Sequence, residues 1–507
     1  MNPEHSRRFA AMISDRTVAT VSTLVALTVT VLIPGNGSLW IDEAQTFHHV
    51  AQPTFTALWR GILGDQNSES LMPLGMFVAW LGGQILGTGE WQMRALNIHW
   101  GVLTVLAFVR LGSIWRAPWA PILVVVQPFF WYYGNEARPY VLQIAGGAWL
   151  AAGCAEVLQA RRLDARTCLP ILVSSAALVA STMFGIVTVV AVAMMLAVLW
   201  WNERWVITGR ARLQFGLGVL WCTSLSAYYI WKVATGAKGA KLWDVGLHNL
   251  GFALYEFLGF AGLGPGRDDL RQMGRAGGVE AAVYGLAVDP VWLLLLFALL
   301  SALAVALRLT WQKQERKREF FVYAGVWALV VGTTFIASVL ARFPFWGRHL
   351  APVFPFYCTL LVLGVESLRR TPWPRALRVG VEAALLLMLA SSAAQLRWSS
   401  RHARDDYRSA TAIALTALQA GRDVWWLADP KAAAYYGLPF SGEGESPGKA
   451  AHLAGSLVRK GTALPVPDMI VMSKRDVFDP GGDVARIITA QGFRATHPLK
   501  AFTVWER

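Results

Sequence analysis

Long apolar runs recur along this chain from Val18 to Leu396. Each is roughly 17 to 25 residues long, enough for a helix to cross a hydrocarbon core of about 30 Å. This constrains the fold more than any other feature, because backbone polar groups in lipid must be paired internally, as they are only in helices and closed barrels. A barrel needs short strands of alternating hydrophobicity, and the sequence lacks them. Of 507 residues 55% are hydrophobic and 15% charged, a poor match to a soluble protein with one core. The expected fold class is mainly α, a polytopic membrane protein.

The net charge of +14 raises the question of nucleic acid. The Arg and Lys of the apolar part gather in short loops between the runs, as the positive-inside rule expects of cytoplasmic loops. No basic stripe on a soluble fold accompanies them, so nucleic acid is not an expected partner. Arg7, Arg8 and Arg16 precede an apolar run of signal-peptide character, but no small-residue cleavage site follows, so the segment reads as an uncleaved first helix. Cys154, Cys168, Cys222 and Cys358 lie in or beside apolar runs without metal-ligand spacing and read as packing residues.

Loop charge also orients the chain. With the basic N-terminus inside, a first helix from about Thr17 to Ile33 delivers Asp42 to the outer side. The next span, about Ala95 to Ser113, runs to Arg110 and Arg116 and should finish inside. Between them "LMPLGMFVAWLGGQILG", Leu71 to Gly87, is apolar but short. Were it to cross, every later basic loop would change sides, so it reads as an interfacial or re-entrant helix. A span from about Ala117 to Tyr133 then leads out to "NEARPY", and one from Tyr140 returns to "QARRLDAR". Leu169 to Trp201 reads as two short helices turning near Met183 to Gly185, with "NERWVITGRAR" inside. A further helix leads to an outer loop at 234–288, the next returns to the basic "RLTWQKQERKR", and two more flank "RFPFWGRH" outside before "RRTPWPRALR" inside. A last helix exits near Arg397. The expectation is about eleven transmembrane helices, N-terminus cytoplasmic and C-terminus extracytoplasmic.

Residues 1–396 thus read as a transmembrane module with outer loops at 36–94, 134–140 and 234–288, and 397–507 as a small soluble α/β domain. In that domain "DVWWLADP", "PDMIVMSK" and "FTVWER" read as strands and "RSATAIALTALQAG" and "GGDVARIITAQGF" as helices, with "SGEGESPGKA" a loop. It shows no nucleotide-binding glycine pattern and no nucleophile elbow. A role in acceptor binding or in packing on the membrane part suits it better than catalysis.

This topology brings Asp42, Glu43, His48, His49, Glu69, Arg94, Glu136, Arg138, Arg342, Arg348 and His349 to one face. Ionisable groups near the apolar core are costly and mark a site when they point inward. Each also has a plainer reading. Asp42 and Glu43 could be a solvated helix end, His48 and His49 could belong to an interfacial amphipathic helix, and Arg94 and Arg348 could be snorkelling at helix ends. "NEARPY" is harder to dismiss, with an acid and a guanidinium two residues apart at the mouth of a span. Transfer of a sugar from a lipid phosphate would use such a set. A carboxylate accepts the proton of the incoming hydroxyl, arginines or a metal meet the charge of the leaving phosphate, and an apolar groove holds the polyprenyl tail.

"WIDEAQT", "LMPLGMF", "EWQMRAL", "YYGNEARPY" and "RHLAPVFPF" occur in an order and spacing that resemble the GT-C membrane glycosyltransferases, nearest to the bacterial dolichyl-phosphate-mannose-protein mannosyltransferase-like and aminoarabinose-transferase-like enzymes. The resemblance covers about residues 17 to 365 and is strongest up to Tyr140. It implies a GT-C fold and inverting transfer from a polyprenyl-phosphate sugar to a lipid, glycan or protein acceptor at the outer face of a bacterial inner membrane. It implies Asp42 as catalytic base, Glu43 as its companion and Glu136 as the facing acid. Arg94, Arg138, Tyr140, Arg348 and His349 would bind donor phosphate or substrate. No cofactor is obligatory, though Asp42, Glu43, Glu136 and His48 could hold a divalent metal. The chain departs from the pattern at Leu71 and Met72, where many relatives have His-Pro, at Asn135, where Gln is commoner, and at His349, where Tyr is usual. A transporter or flippase for a lipid-linked glycan, whose polar residues should line a path near midplane, and a non-catalytic membrane scaffold in envelope glycan assembly remain the alternatives.

Overall fold

The computed structural model describes residues 3–236, 245–267, 269–270, 290–312, 316–343, 345–441, 450–454 and 465–507. Parts of the expected loops 234–288 and 441–450, and the middle of the basic segment 308–318, lie outside these residues. The chain divides into two compact units. One comprises Met1–Pro34, Phe55–Gly82 and Arg94–His402, the other Gly35–Thr54, Gly83–Met93 and Ala403–Arg507. The sequence reading assigned all of 36–94 to the membrane module. The structure instead folds two stretches of that loop with the C-terminal residues.

The first unit is a helical bundle. It contains α1 (Pro3–Leu32), α3 (Phe55–Gly64) and most of α4 (Pro73–Leu86) and α5 (Glu90–Trp115), with α2 (Ile41–Val50) belonging to the second unit. Six of the described helices are long and apolar enough to cross a membrane: α5, Tyr140–Ala160, Phe184–Glu203, Pro290–Leu309, Lys317–Ala341 and Arg375–Trp398. Arg16–Leu32, Pro73–Leu86 and Ala165–Ser181 are apolar but shorter.

Two local breaks have clear causes. The expected span Ala117–Tyr133 is two pieces, Ala120–Val125 and Pro128–Gly134. Pro128 has no N–H to give to a preceding turn and holds Gln127 in an extended conformation, so the second piece starts at the proline. The run Leu169–Trp201 is divided between Ala165–Ser181 and Phe184–Glu203, with the turn at Thr182 and Met183.

The helix Tyr140–Ala160 is the hub of the bundle. Of its most apolar window 83% is buried, against 22–44% for the other five candidate spans, so its surroundings are protein rather than lipid. The approach is close at Gly147, where an added Cβ would lie 2.1 Å from the Pro352 carbonyl oxygen. "NEARPY" runs directly into the first turn of this helix.

The second unit is built on a four-stranded sheet of order β3-β4-β6-β5, with β3 Val424–Leu427, β4 Met469–Ser473, β5 Arg494–Leu499 and β6 Phe502–Glu506. The two-residue strands β1 (Arg162–Leu163) and β2 (Val206–Ile207) pair separately in the first unit. β3 and β4 are parallel and buried on both faces, as their uninterrupted apolar sequences require; β6 is antiparallel to both β4 and β5. Strand β5, not expected from sequence, is an exposed edge strand with a bulge between Ala495 and His497. Trp425 and Trp426 point to opposite faces. Trp426 packs with Tyr407, Ala410 and Val471, and Trp425 with Ile470, Val484 and Ile488. Ala44 and Ile41 of α2 join the Trp426 side, which explains why this helix folds with the C-terminal residues.

Candidate active site

In the first unit Glu69, Glu136, Arg138 and Tyr140 lie around the start of the hub helix. Ser68–Leu71 form a single tight turn in which the Tyr228 hydroxyl donates to the Ser70 carbonyl at 2.9 Å, holding Glu69 in place. Glu69 and Arg138 form an ion pair with both side chains 2% exposed, and Arg138 also donates to the Ser68 hydroxyl at 3.2 Å. The Asn97 amide, one turn after the fully buried Arg94, donates to the carbonyls of Gly134 and Glu136 at 3.1 and 2.6 Å. It thereby pins both ends of the turn that carries the buried Glu136. The Arg138 guanidinium lies 5.8 Å from the Tyr140 ring centre, and the Tyr140 and Tyr133 rings meet edge to face at 5.1 Å.

From Tyr133 the network reaches two residues that the sequence reading missed. The Tyr133 hydroxyl lies 3.5 Å from the carboxylate of Glu256, in the helix Leu247–Phe257, and Glu256 pairs with Arg267 at 3.0 Å. Arg267 donates to the Tyr132 hydroxyl at 2.6 Å and its guanidinium faces the Tyr132, Phe252 and Trp346 rings. Burial raises the Glu256 carboxyl above its ordinary value, against the pull of Arg267, of Arg348 and of the Gly347 N–H. Arg348 therefore lies in the field of Glu256. Gly347 allows the approach, since a Cβ there would sit 2.5 Å from a Glu256 carboxylate oxygen. Glu256 thus links "NEARPY" to "RFPFWGRH". It is the lone acid of a short apolar helix in the expected outer loop, whereas Arg267 follows a Gly-Pro-Gly loop with no pattern to mark it. His349 stacks on Phe184 with ring centres 4.5 Å apart, and its Nδ1 accepts the Trp346 N–H at 3.3 Å. Arg342 is exposed.

In the second unit α2 carries the other candidates. Asp42 and Glu43 occupy its first turn, where acids complement the helix dipole. Glu43 is fully buried, accepts the Trp40 N–H at 3.3 Å and faces Arg404 at 3.9 Å; Asp42 is half-buried. His48 is exposed, and His49 is buried with its ring 5.8 Å from that of His48. The helix Pro430–Tyr435 packs on α2, with Lys431 donating to the Gln45 side chain at 2.7 Å and Tyr435 meeting Phe47 edge to face. Asp429 caps that helix by accepting the Ala432 N–H at 2.9 Å. Its carboxyl is raised, first by burial and in smaller part by the charge of Asp42, while the capping N–H groups and Lys431 oppose the rise. Among the described residues no group of three or more His, Cys, Asp or Glu is arranged to hold a metal ion.

Fold and site together define a multi-pass helical membrane protein that concentrates acids and arginines at the start of its most buried candidate span and carries a small mixed-sheet unit. No protein-family model and no curated protein matches the chain. Among solved structures it is similar to ArnT from Cupriavidus metallidurans in the apo state, with 13% identity, 98% of each chain covered and a TM-score of 0.46. It is also similar to the archaeal oligosaccharyltransferase AglB from Archaeoglobus fulgidus, with 12% identity, 98% of this chain and 74% of that one covered, and a TM-score of 0.45. A third is the mycobacterial arabinofuranosyltransferase AftD, with 14% identity, 97% and 40% covered, and a TM-score of 0.42.

Proposed function

We propose that this chain is an inverting glycosyltransferase that moves a sugar from a polyprenyl phosphate to a lipid, glycan or protein acceptor at the outer face of a bacterial inner membrane. The observation that carries the reading is the network of buried Glu69, Arg138, Tyr140, Tyr133 and Glu256, closed by the half-buried Arg267, in a bundle with six membrane-length apolar helices. Buried charge of this density costs too much to be incidental in such a bundle.

In this reading Asp42 takes the proton of the acceptor hydroxyl as its oxygen attacks the anomeric carbon. The bond from that carbon to the phosphate oxygen breaks, and the polyprenyl phosphate leaves with the electron pair. Arg94, Arg138 and Arg348 are the cations for the developing phosphate charge. Arg138 has both terminal nitrogens engaged by Glu69 and Ser68, so it contributes by field and by holding the Glu136 turn more than by direct contact. Glu43 is the companion acid of Asp42 on α2, and Glu136 the acid on the turn that Asn97 holds. Asp42→Asn should lower transfer by about 10² to 10⁴-fold, the magnitude of a positioned base. The check is turnover of a polyprenyl-phosphate-linked sugar by purified protein whose thermal unfolding midpoint matches wild type. Wild-type turnover in that variant would remove Asp42 as the base.

A further inference from the structure

The stretch Asn36 to Leu39, just ahead of the α2 cap residue Trp40, is held by residues from two other stretches of the second unit. The Tyr436 hydroxyl accepts the Leu39 N–H at 2.7 Å, lies 3.2 Å from the Ser38 hydroxyl and donates to the Glu90 carboxylate. Arg408 pairs with the same carboxylate through two nitrogens, one of them at 3.2 Å. It donates through its side chain to the Asn36 carbonyl at 2.8 Å and through its backbone N–H to the Ser38 hydroxyl at 3.1 Å. Burial first, and then the bond to Glu90, push the Tyr436 hydroxyl well above its ordinary value, so it remains a donor. One carboxylate thus ties a tyrosine and an arginine of the C-terminal residues to the loop that launches the helix of Asp42. Only the first of these attachments would be needed to hold the loop loosely. All of them together fix where α2 begins and how it is rotated.

We infer that Tyr436, Glu90 and Arg408 are positioning residues for Asp42, and that the C-terminal residues take part in transfer by setting the place of the base. The inference rests on the reading of Asp42 as that base. A base must lie within about 2.6–3.2 Å of the proton it takes, and a displacement of about 1 Å can cost on the order of 100-fold in rate. Asp42 stands three residues beyond the Leu39 N–H that Tyr436 holds, so a small rotation there is carried directly to its carboxylate.

The test compares full-length wild type with Y436F, E90Q, R408K and D42N in detergent. The donor is the polyprenyl-phosphate-sugar fraction extracted from cells lacking the gene, and membranes of those cells supply the acceptor. Y436F and R408K should lower kcat by about 10- to 100-fold with KM for the donor and the unfolding midpoint close to wild type. A protein that merely lost packing would show the same kcat per folded molecule. Should Y436F not fold, E90Q keeps the shape of the carboxylate and should show the same split. An unchanged kcat in the folded variants, or a loss confined to KM, overturns the positioning role while an inactive D42N leaves the base assignment standing. An active D42N removes the base itself, and the positioning role with it.

Discussion

Arg138 is held by Glu69 and Ser68 in surroundings that leave its side chain 2% exposed. Removing one partner strands a charge, and removing both does not. Glu69→Ala should therefore destabilise the protein by about 3–5 kcal/mol, whereas Glu69→Leu with Arg138→Met should recover most of that loss, read by thermal unfolding in detergent. Gly347→Ala tests the second pair. Its Cβ would meet the Glu256 carboxylate at 2.5 Å, so it should force Glu256 away from the Gly347 N–H and lower both stability and transfer. At this scale the sequence was informative where charge is rare. Glu136 and Arg138 stood out because a membrane chain seldom keeps ionisable groups at the mouth of a span, and the structure buries both. The partner of Arg138 was among the candidates, but the pairing itself was not legible. Arg267 carried no signal, because its role depends on a contact with Glu256 across a loop that has no period to read.

Helix α2 owes its position to its own residues and to a helix far along the chain. Its acids suit its first turn, but Ile41 and Ala44 turn inward to a core made by Tyr407 and Trp426. The adjoining helix Pro430–Tyr435 is capped by Asp429, whose raised carboxyl gives a pH signature. In the folded state this group keeps its proton at pH values where the unfolded chain, near the ordinary 3.8, has lost it. Stability from this group is therefore greatest at low pH and falls as pH rises through the window above 3.8. Asp429→Asn keeps an acceptor for the cap and cannot titrate. The unfolding midpoint of wild type should fall relative to that variant as pH is raised through this window, and parallel profiles would contradict the burial of the charge. Sequence period placed most helices well. It read Ala117–Tyr133 as one span because an apolar run hides the break, although Pro128 was visible and its consequence is local.

At the level of the whole molecule, the second unit is assembled from three separate stretches of chain. Apolar length marks the membrane-length segments, and composition sets 397–507 apart as of another kind. They could not show that 35–54 and 83–93 fold with it, since ties such as Glu90 to Arg408 span 318 residues and leave no local pattern. A chain ending after His402 should therefore still insert its apolar helices but leave α2 without its core. Limited proteolysis should then cut within 35–54, where the full chain resists, and transfer should be lost. The central claim is that the chain consumes a polyprenyl-phosphate sugar with Asp42 as base. Its most direct measurement is mass spectrometry of lipid-linked sugars in cells lacking the gene, complemented with wild type or with Asp42→Asn. One polyprenyl-phosphate sugar should accumulate in the deletion and in the Asp42→Asn cells and return to its normal level with wild type. A lipid-linked sugar pool that is the same in all three strains would contradict it.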